Sequence, residues 1–95
     1  MADSSLNIAA TLEQRGKNYG NFETQARIVQ ALKCAAYENA TVTIESHHNE
    51  ALDMIFHKIA RILNGDPNYA DSWHDIAGYA TLVEQIIAKK QPSLF

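Results

Sequence analysis

The chain predicts an all-α fold, a small four-helix bundle, and three observations carry that prediction. Apolar residues recur at three- and four-residue steps from Ser46 to Asn64 and again beyond Asp71. Between these stretches, Asn64-Gly65-Asp66-Pro67-Asn68 reads as a helix stop followed by a turn. The strand-like alternation at Thr41-Val42-Thr43-Ile44 spans only four residues and has no partner strand, so residues 38–45 read as an extended linker.

Each element follows from local signals. Ser4 or Ser5 caps a first short helix running to about Arg15, with Leu6, Ala9, Ala10 and Leu12 as a weak apolar face and Gly16 as its stop. The connector Gly16-Lys17-Asn18-Tyr19-Gly20 follows, and Asn21 caps a second helix in which Ile28, Val29, Leu32, Ala35 and Ala36 recur at helical spacing. Ser46 caps the third helix, where Leu52, Ile55, Ile59, Ile62 and Leu63 form the apolar stripe. Asn64-Gly65 supplies a left-handed stop and Pro67 prevents continuation. Asp71 or Ser72 opens the fourth helix, with Trp73, Ile76, Ala80, Val83 and Ile87 as a heptad-like seam and Pro92 ending the ordered part. Tyr79, Leu82 and Ile86 form a second stripe, which packs on the first two helices or on another subunit. A homo-oligomer is expected, because a unit with so weak a first helix is marginal alone.

Size and charge bound the function. The 95 residues make one domain, with an ordered core of about 4–90. A hydrophobic fraction of 46% and a charged fraction of 20% mark a globular protein rather than a disordered one. The net charge of −3 argues against nonspecific nucleic-acid binding but leaves room for one phosphorylated small molecule held by a few cations. The lone Cys34 makes no internal disulfide and reads as a half-buried helical filler. No apolar run approaches the roughly 18 residues of a membrane span, and the N-terminus lacks signal-peptide character. A soluble, cytoplasmic protein is expected.

Two constellations carry candidate chemistry. Glu50, Asp53 and His57 fall on one line of the third helix, opposite its apolar stripe, as carboxylates presented to a divalent cation would. With Asp71 and Asp75 across the loop, these groups are a candidate magnesium site, with Glu50, Asp53 and Asp75 as its ligands. The alternative is a solvated polar face. Lys58 and Arg61 edge the same helix, facing Asp71, Asp75 and Tyr79 on the fourth. They either pair across the helices to fix register or bind phosphate oxygens. Tyr19, flanked by glycine and near Lys17, is the candidate ligand-contacting aromatic. His47 and His48, adjacent at a helix start, diverge by about 100° and are not expected to share an ion.

The order Tyr19-Gly20, then Met54, Lys58 and Arg61, then Asp71 and Asp75-Ile-Ala-Gly-Tyr79, resembles a family of small phage and prophage proteins of unassigned function. Their features are a Tyr-Gly turn, a Lys-x-x-Arg helix and an Asp-x-x-x-Asp-x-x-Gly-Tyr helix. The order is also similar to nucleotide-modification-associated helical domains and, more distantly, to the all-α pyrophosphohydrolases of the MazG type. The resemblance covers about residues 15–85 and implies a MazG-like helical bundle. It places the family pattern on Tyr19, Gly20, Lys58, Arg61, Asp71, Asp75, Gly78 and Tyr79. MazG-type enzymes hold magnesium with Glu-x-x-Glu and Glu-x-x-Asp pairs, and Ser72 stands here where the second pair has its glutamate.

The expected function is therefore a phage-type protein that binds a nucleotide or nucleotide-derived signal and counteracts host defence by sequestration. Its expected ligand contacts are Lys17, Tyr19, Lys58, Arg61, Asp71, Asp75 and Tyr79, with no catalytic residue and no cofactor. Second comes an inhibitor that binds a host defence protein through its acidic face. Third comes a nucleoside triphosphate pyrophosphohydrolase, which alone requires magnesium. The partners expected are a nucleotide-like small molecule, a host protein and further copies of the chain, with neither nucleic acid nor membrane.

Overall fold

A computed structural model describes residues 4–90, with side chains from residue 7. It has four helices, α1 (Ser4–Tyr19), α2 (Phe22–Glu38), α3 (Ser46–Asn64) and α4 (Ala70–Lys90), and no strand among the described residues. The all-α expectation holds. The segment at Thr41–Ile44 is a linker without regular structure. Pro92 and the side chain of Leu6 lie outside what is described.

Three boundaries differ from expectation. Gly16 does not stop α1, which continues one more turn to Tyr19 and ends at Gly20 with φ 79°. A single glycine inside a helix costs only about 1 kcal/mol relative to alanine, less than the turn geometry at Gly20 demands. Asn21 caps α2 as expected, its side-chain oxygen accepting from the Thr24 backbone N–H at 3.1 Å. At α3 the cap is Glu45 rather than Ser46, in a reciprocal box with His48. The Glu45 N–H donates to His48 Nδ1 at 3.1 Å. At the other end, Gly65 has φ −124°, so no left-handed residue stops α3. Asp66 instead makes the turn, accepting from the Asn68 N–H on its carboxylate at 2.9 Å and from the Tyr69 N–H on its carbonyl at 3.1 Å.

Helix α3 is the centre of the molecule. It packs on α4 on one side and on α2 on the other, while α4 touches α3 alone among the described elements. Buried Ala51 and Lys58, seven residues apart, face α4, and fully buried Ala60 shares a face with Asp53 and Phe56 against α2. Ile55, Ile59 and Ile62 of the expected stripe are half-buried beside the Ala51–Lys58 face, and a second face around Ala60 packs on α2. Leu52 and Leu63, at the flank between them, are exposed. The α4 seam changes likewise. Ser72 is buried, Asp75, Ile76, Tyr79, Val83 and Ile86 are half-buried, and Trp73, Ala80 and Ile87 remain exposed. Small residues at the two contacts of α3 let neighbouring helices come close, and large side chains then splay to the flanks. On α2, Val29 is the buried anchor and Cys34 is exposed, contrary to expectation, its thiol donating to Glu38 Oε2 at 3.4 Å.

Candidate functional site: the Tyr-Gly turn against the end of α3

The two turns of the molecule are fastened to each other. Asn64 Nδ2 donates to the carbonyls of Tyr19 and Asn21 at 3.1 and 2.8 Å, and the Asp66 N–H donates to the Asn18 carbonyl at 2.8 Å. Backbones meet so closely that a Cβ on Gly20 would run into the Asn64 carbonyl, and one on Gly65 into Asn18 and Tyr19. The glycines at both turns therefore serve one purpose, a backbone-to-backbone approach that no side chain permits.

That clamp sets Tyr19 over the last turn of α3. The Arg61 guanidinium lies 4.3 Å from the Tyr19 ring centroid, a cation–π contact. Tyr69 meets Tyr19 edge-on, with centroids 5.8 Å apart at 72°. Asp71 neighbours the Tyr69 hydroxyl and raises its pKa above the usual phenol range. The Arg61 Nε–H is buried without a hydrogen-bond partner. A buried charged donor left unpaired is costly, and such groups are scarce in folded proteins.

Arg61 opens onto a cleft of about 250 Å³ lined by Leu12, Arg15, Gly16, Tyr19, Gly20, Phe22, Gln25 and Arg61. Two guanidinium groups and no carboxylate line it, in a chain whose net charge is −3. Gln25 is buried at its floor and Phe22, on the first turn of α2, is an exposed rim. A second groove of about 220 Å³ along α1 shares Leu12 and Arg15 with it.

The expected site residues divide. Tyr19 and Arg61 meet at this cleft, which Lys17, Asp71 and Tyr79 do not line. Lys58 is buried and its Nζ pairs with Asp75 Oδ2 at 3.0 Å, one turn from Arg61. The expected Lys58–Asp75 alternatives thus resolve towards an interhelical ion pair, whereas Arg61 takes a ring instead of a carboxylate. Tyr79 sits half-buried on α4 beside Asp75, Gly78 and Leu82.

The expected metal ligands are held apart. Asp53 faces α2, accepting from Tyr37 Oη at 2.8 Å with Lys33 Nζ at 3.8 Å, Asp75 faces Lys58, and Glu50 is exposed. Burial, with the Asp53 bond beside it, pushes the Tyr37 phenol up to about 12. The face that periodicity marks as solvated is covered by α2. His57 lies on the same face, its pKa lowered first by burial and then by Lys33, Arg61 and Lys58. Among the described residues, the set that does bring ligand atoms within 4.8 Å is Glu45, His47 and His48. The capping box curls His48 back, so the adjacent imidazoles lie 4.2 Å apart rather than diverging. Glu45 is there already paired with Lys90 at 3.2 Å, which holds its carboxyl below the usual range.

Sequence reasoning missed Gln25 and Phe22 as cleft residues and Asn64 as the clamp. The cation pair of Arg15 with Arg61 has no sequence signal, since the two are joined only by the crossing of α1 and α3. A family profile of a domain of unknown function, DUF6378, matches residues 6–87. The chain belongs to the DUF6378 family. The matched span takes in the cleft, both turns and all four helices in large part. No curated protein and no solved structure matches the chain. No described helix is long and apolar enough to cross a membrane.

Proposed function

We propose that this DUF6378 chain binds a nucleotide or nucleotide-derived signal in the cleft between the end of α1 and the end of α3. The buried Arg61 Nε–H without a partner, on a guanidinium held over Tyr19, is the observation that carries the reading. The part of this guanidinium that lines the cleft can meet a phosphate oxygen, and Arg15 supplies a second guanidinium. The first turn of α2 borders the cleft, so its N-terminal dipole favours an anion too. Phe22, at the rim, offers an aromatic face to a base.

The cleft is a little smaller than the roughly 300–1,000 Å³ of most ligand pockets, which suits a phosphorylated fragment with its base partly outside. Capture without turnover accords with carboxylates that do not gather around it, and a phage protein that sequesters a host nucleotide signal would act this way. A magnesium pyrophosphohydrolase needs Glu50, Asp53 and Asp75 on one ion, and they are engaged on different sides of α3 or left in solvent.

Isothermal titration with nucleoside mono-, di- and triphosphates and cyclic nucleotides tests the proposal. At least one should bind saturably, and Arg61→Ala should weaken it by roughly 10- to 100-fold, the worth of a charge-assisted contact. Failure of every nucleotide to bind, or binding indifferent to Arg61→Ala, sinks it.

A further inference from the structure

Gln25 is a polar side chain in an apolar position. It lies one turn before Val29 on the inward face of α2, and only 7% of it is exposed. Glutamine is mostly a surface residue, and an amide taken out of water without a partner is costly. Its backbone N–H donates to the Asn21 carbonyl at 3.0 Å, but its side-chain amide has no hydrogen-bond partner among the described residues. The one unpartnered side-chain polar atom sealed from solvent among them is Arg61 Nε, so the Gln25 amide keeps an opening. That opening is the floor of the cleft, beside Arg15, Tyr19 and Arg61.

The amide calls for a different chemistry from the guanidinium groups around it. Arg15 and Arg61 only donate, which matches phosphate oxygens. Gln25 presents an NH2 donor together with a carbonyl acceptor. A phosphate meets the first and is repelled by the second. A hydroxyl group gives and takes a hydrogen bond at once, so it answers both. In a nucleotide the sugar hydroxyls stand a few bonds from the phosphate. A cleft of about 250 Å³ has room for phosphate and sugar together, with exposed Phe22 left at the rim for the base.

We infer that Gln25 hydrogen-bonds a ribose hydroxyl of the bound nucleotide, so that the cleft selects ribonucleotides over their deoxy counterparts. The inference rests on the nucleotide reading above and adds the sugar to it. A ribose hydroxyl, donor and acceptor in one group, is the feature by which a protein tells the two sugars apart. A deoxy sugar leaves the buried amide unpaired, and a site built to bond a hydroxyl rejects the analogue that lacks it for that reason.

Titration calorimetry with matched ribo-, 2′-deoxy- and 3′-deoxynucleotides tests the contact. Removing one of the two hydroxyls should weaken binding to the parent chain by roughly 10- to 100-fold. Gln25→Leu should bind all three alike, at about the affinity of the parent for the weaker deoxy form. Arg61→Ala should instead weaken all three together and keep the ratio between them. Gln25→Leu should also melt at or above the parent temperature, because leucine suits the face that carries Val29. Ribo and deoxy forms that bind the parent equally, while Arg61→Ala weakens them all, overturn the hydroxyl contact and leave the nucleotide reading standing. If no nucleotide binds, both fall. A Gln25→Leu chain that melts well below the parent overturns the contact as well, since the amide is then bonded within the fold.

Discussion

Lys58 and Arg61 stand one turn apart on the same helix and have opposite fates, decided by what faces them. Lys58 is buried and meets Asp75, so its charge is neutralised within the fold. The Asp75 side chain is 43% exposed, so solvent screens the pair and its net worth is modest. Removing only the acid is different, because it strands an ammonium under α4. Asp75→Ala should cost about 1–3 kcal/mol in urea denaturation after that discount, while Lys58→Met should match or exceed the parent. Equal losses for the two would mean that Lys58 is not the buried partner described. Arg61 faces an aromatic ring and the Arg15 cleft, and its Nε–H is left without a partner among the described residues.

Among the elements, the glycines separate by what surrounds them. Gly20 combines φ 79° with a backbone wall at Asn64, so Gly20→Ala adds left-handed strain to a collision. A loss of about 3 kcal/mol or more is expected, with the Arg61–Tyr19 contact disturbed as the turns separate. Gly78 lies inside α4, with nothing within 4 Å of where a Cβ would stand. Gly78→Ala should therefore stabilise the helix by roughly 0.5–1 kcal/mol. Thermal unfolding of the two variants beside the parent checks both signs, and a stabilised Gly20→Ala would contradict the clamp between the turns.

Taken whole, the molecule measures 54 × 31 × 27 Å, with Val29, Ala51 and Ala60 as its buried apolar residues among those described. So small a core leaves little net stability once chain entropy is met. Association into the expected homo-oligomer would add to it by mass action. The thermal midpoint should accordingly rise with protein concentration, by several degrees over a hundredfold range. A midpoint independent of concentration would mean that the four helices suffice alone.

Much of the fold was legible because helix periodicity, caps and stops are local. The bounds of α3, the Asn21 cap and the turn before α4 follow from residues within a few positions of each other. The Tyr-Gly turn and the importance of Arg61 were legible too, as an unusual aromatic beside glycine and a cation at a stripe edge. What neighbours each face was not. Periodicity marks the Asp53 side of α3 as solvated, yet α2 covers it, because small Ala60 lets a helix in where size, not hydrophobicity, decides. The same spacing assigns Trp73, Ala80 and Ile87 to the α3 contact, yet α4 turns Ser72 and Tyr79 inward once Lys58 meets Asp75. The sequence by itself thus determined four helices and the turn between the last two, through short-range backbone preferences, though not the end of the first. Only the tertiary structure decided which charges pair, which donor stays free and which apolar stripe is left uncovered, because those depend on helix rotation set by contacts distant along the chain.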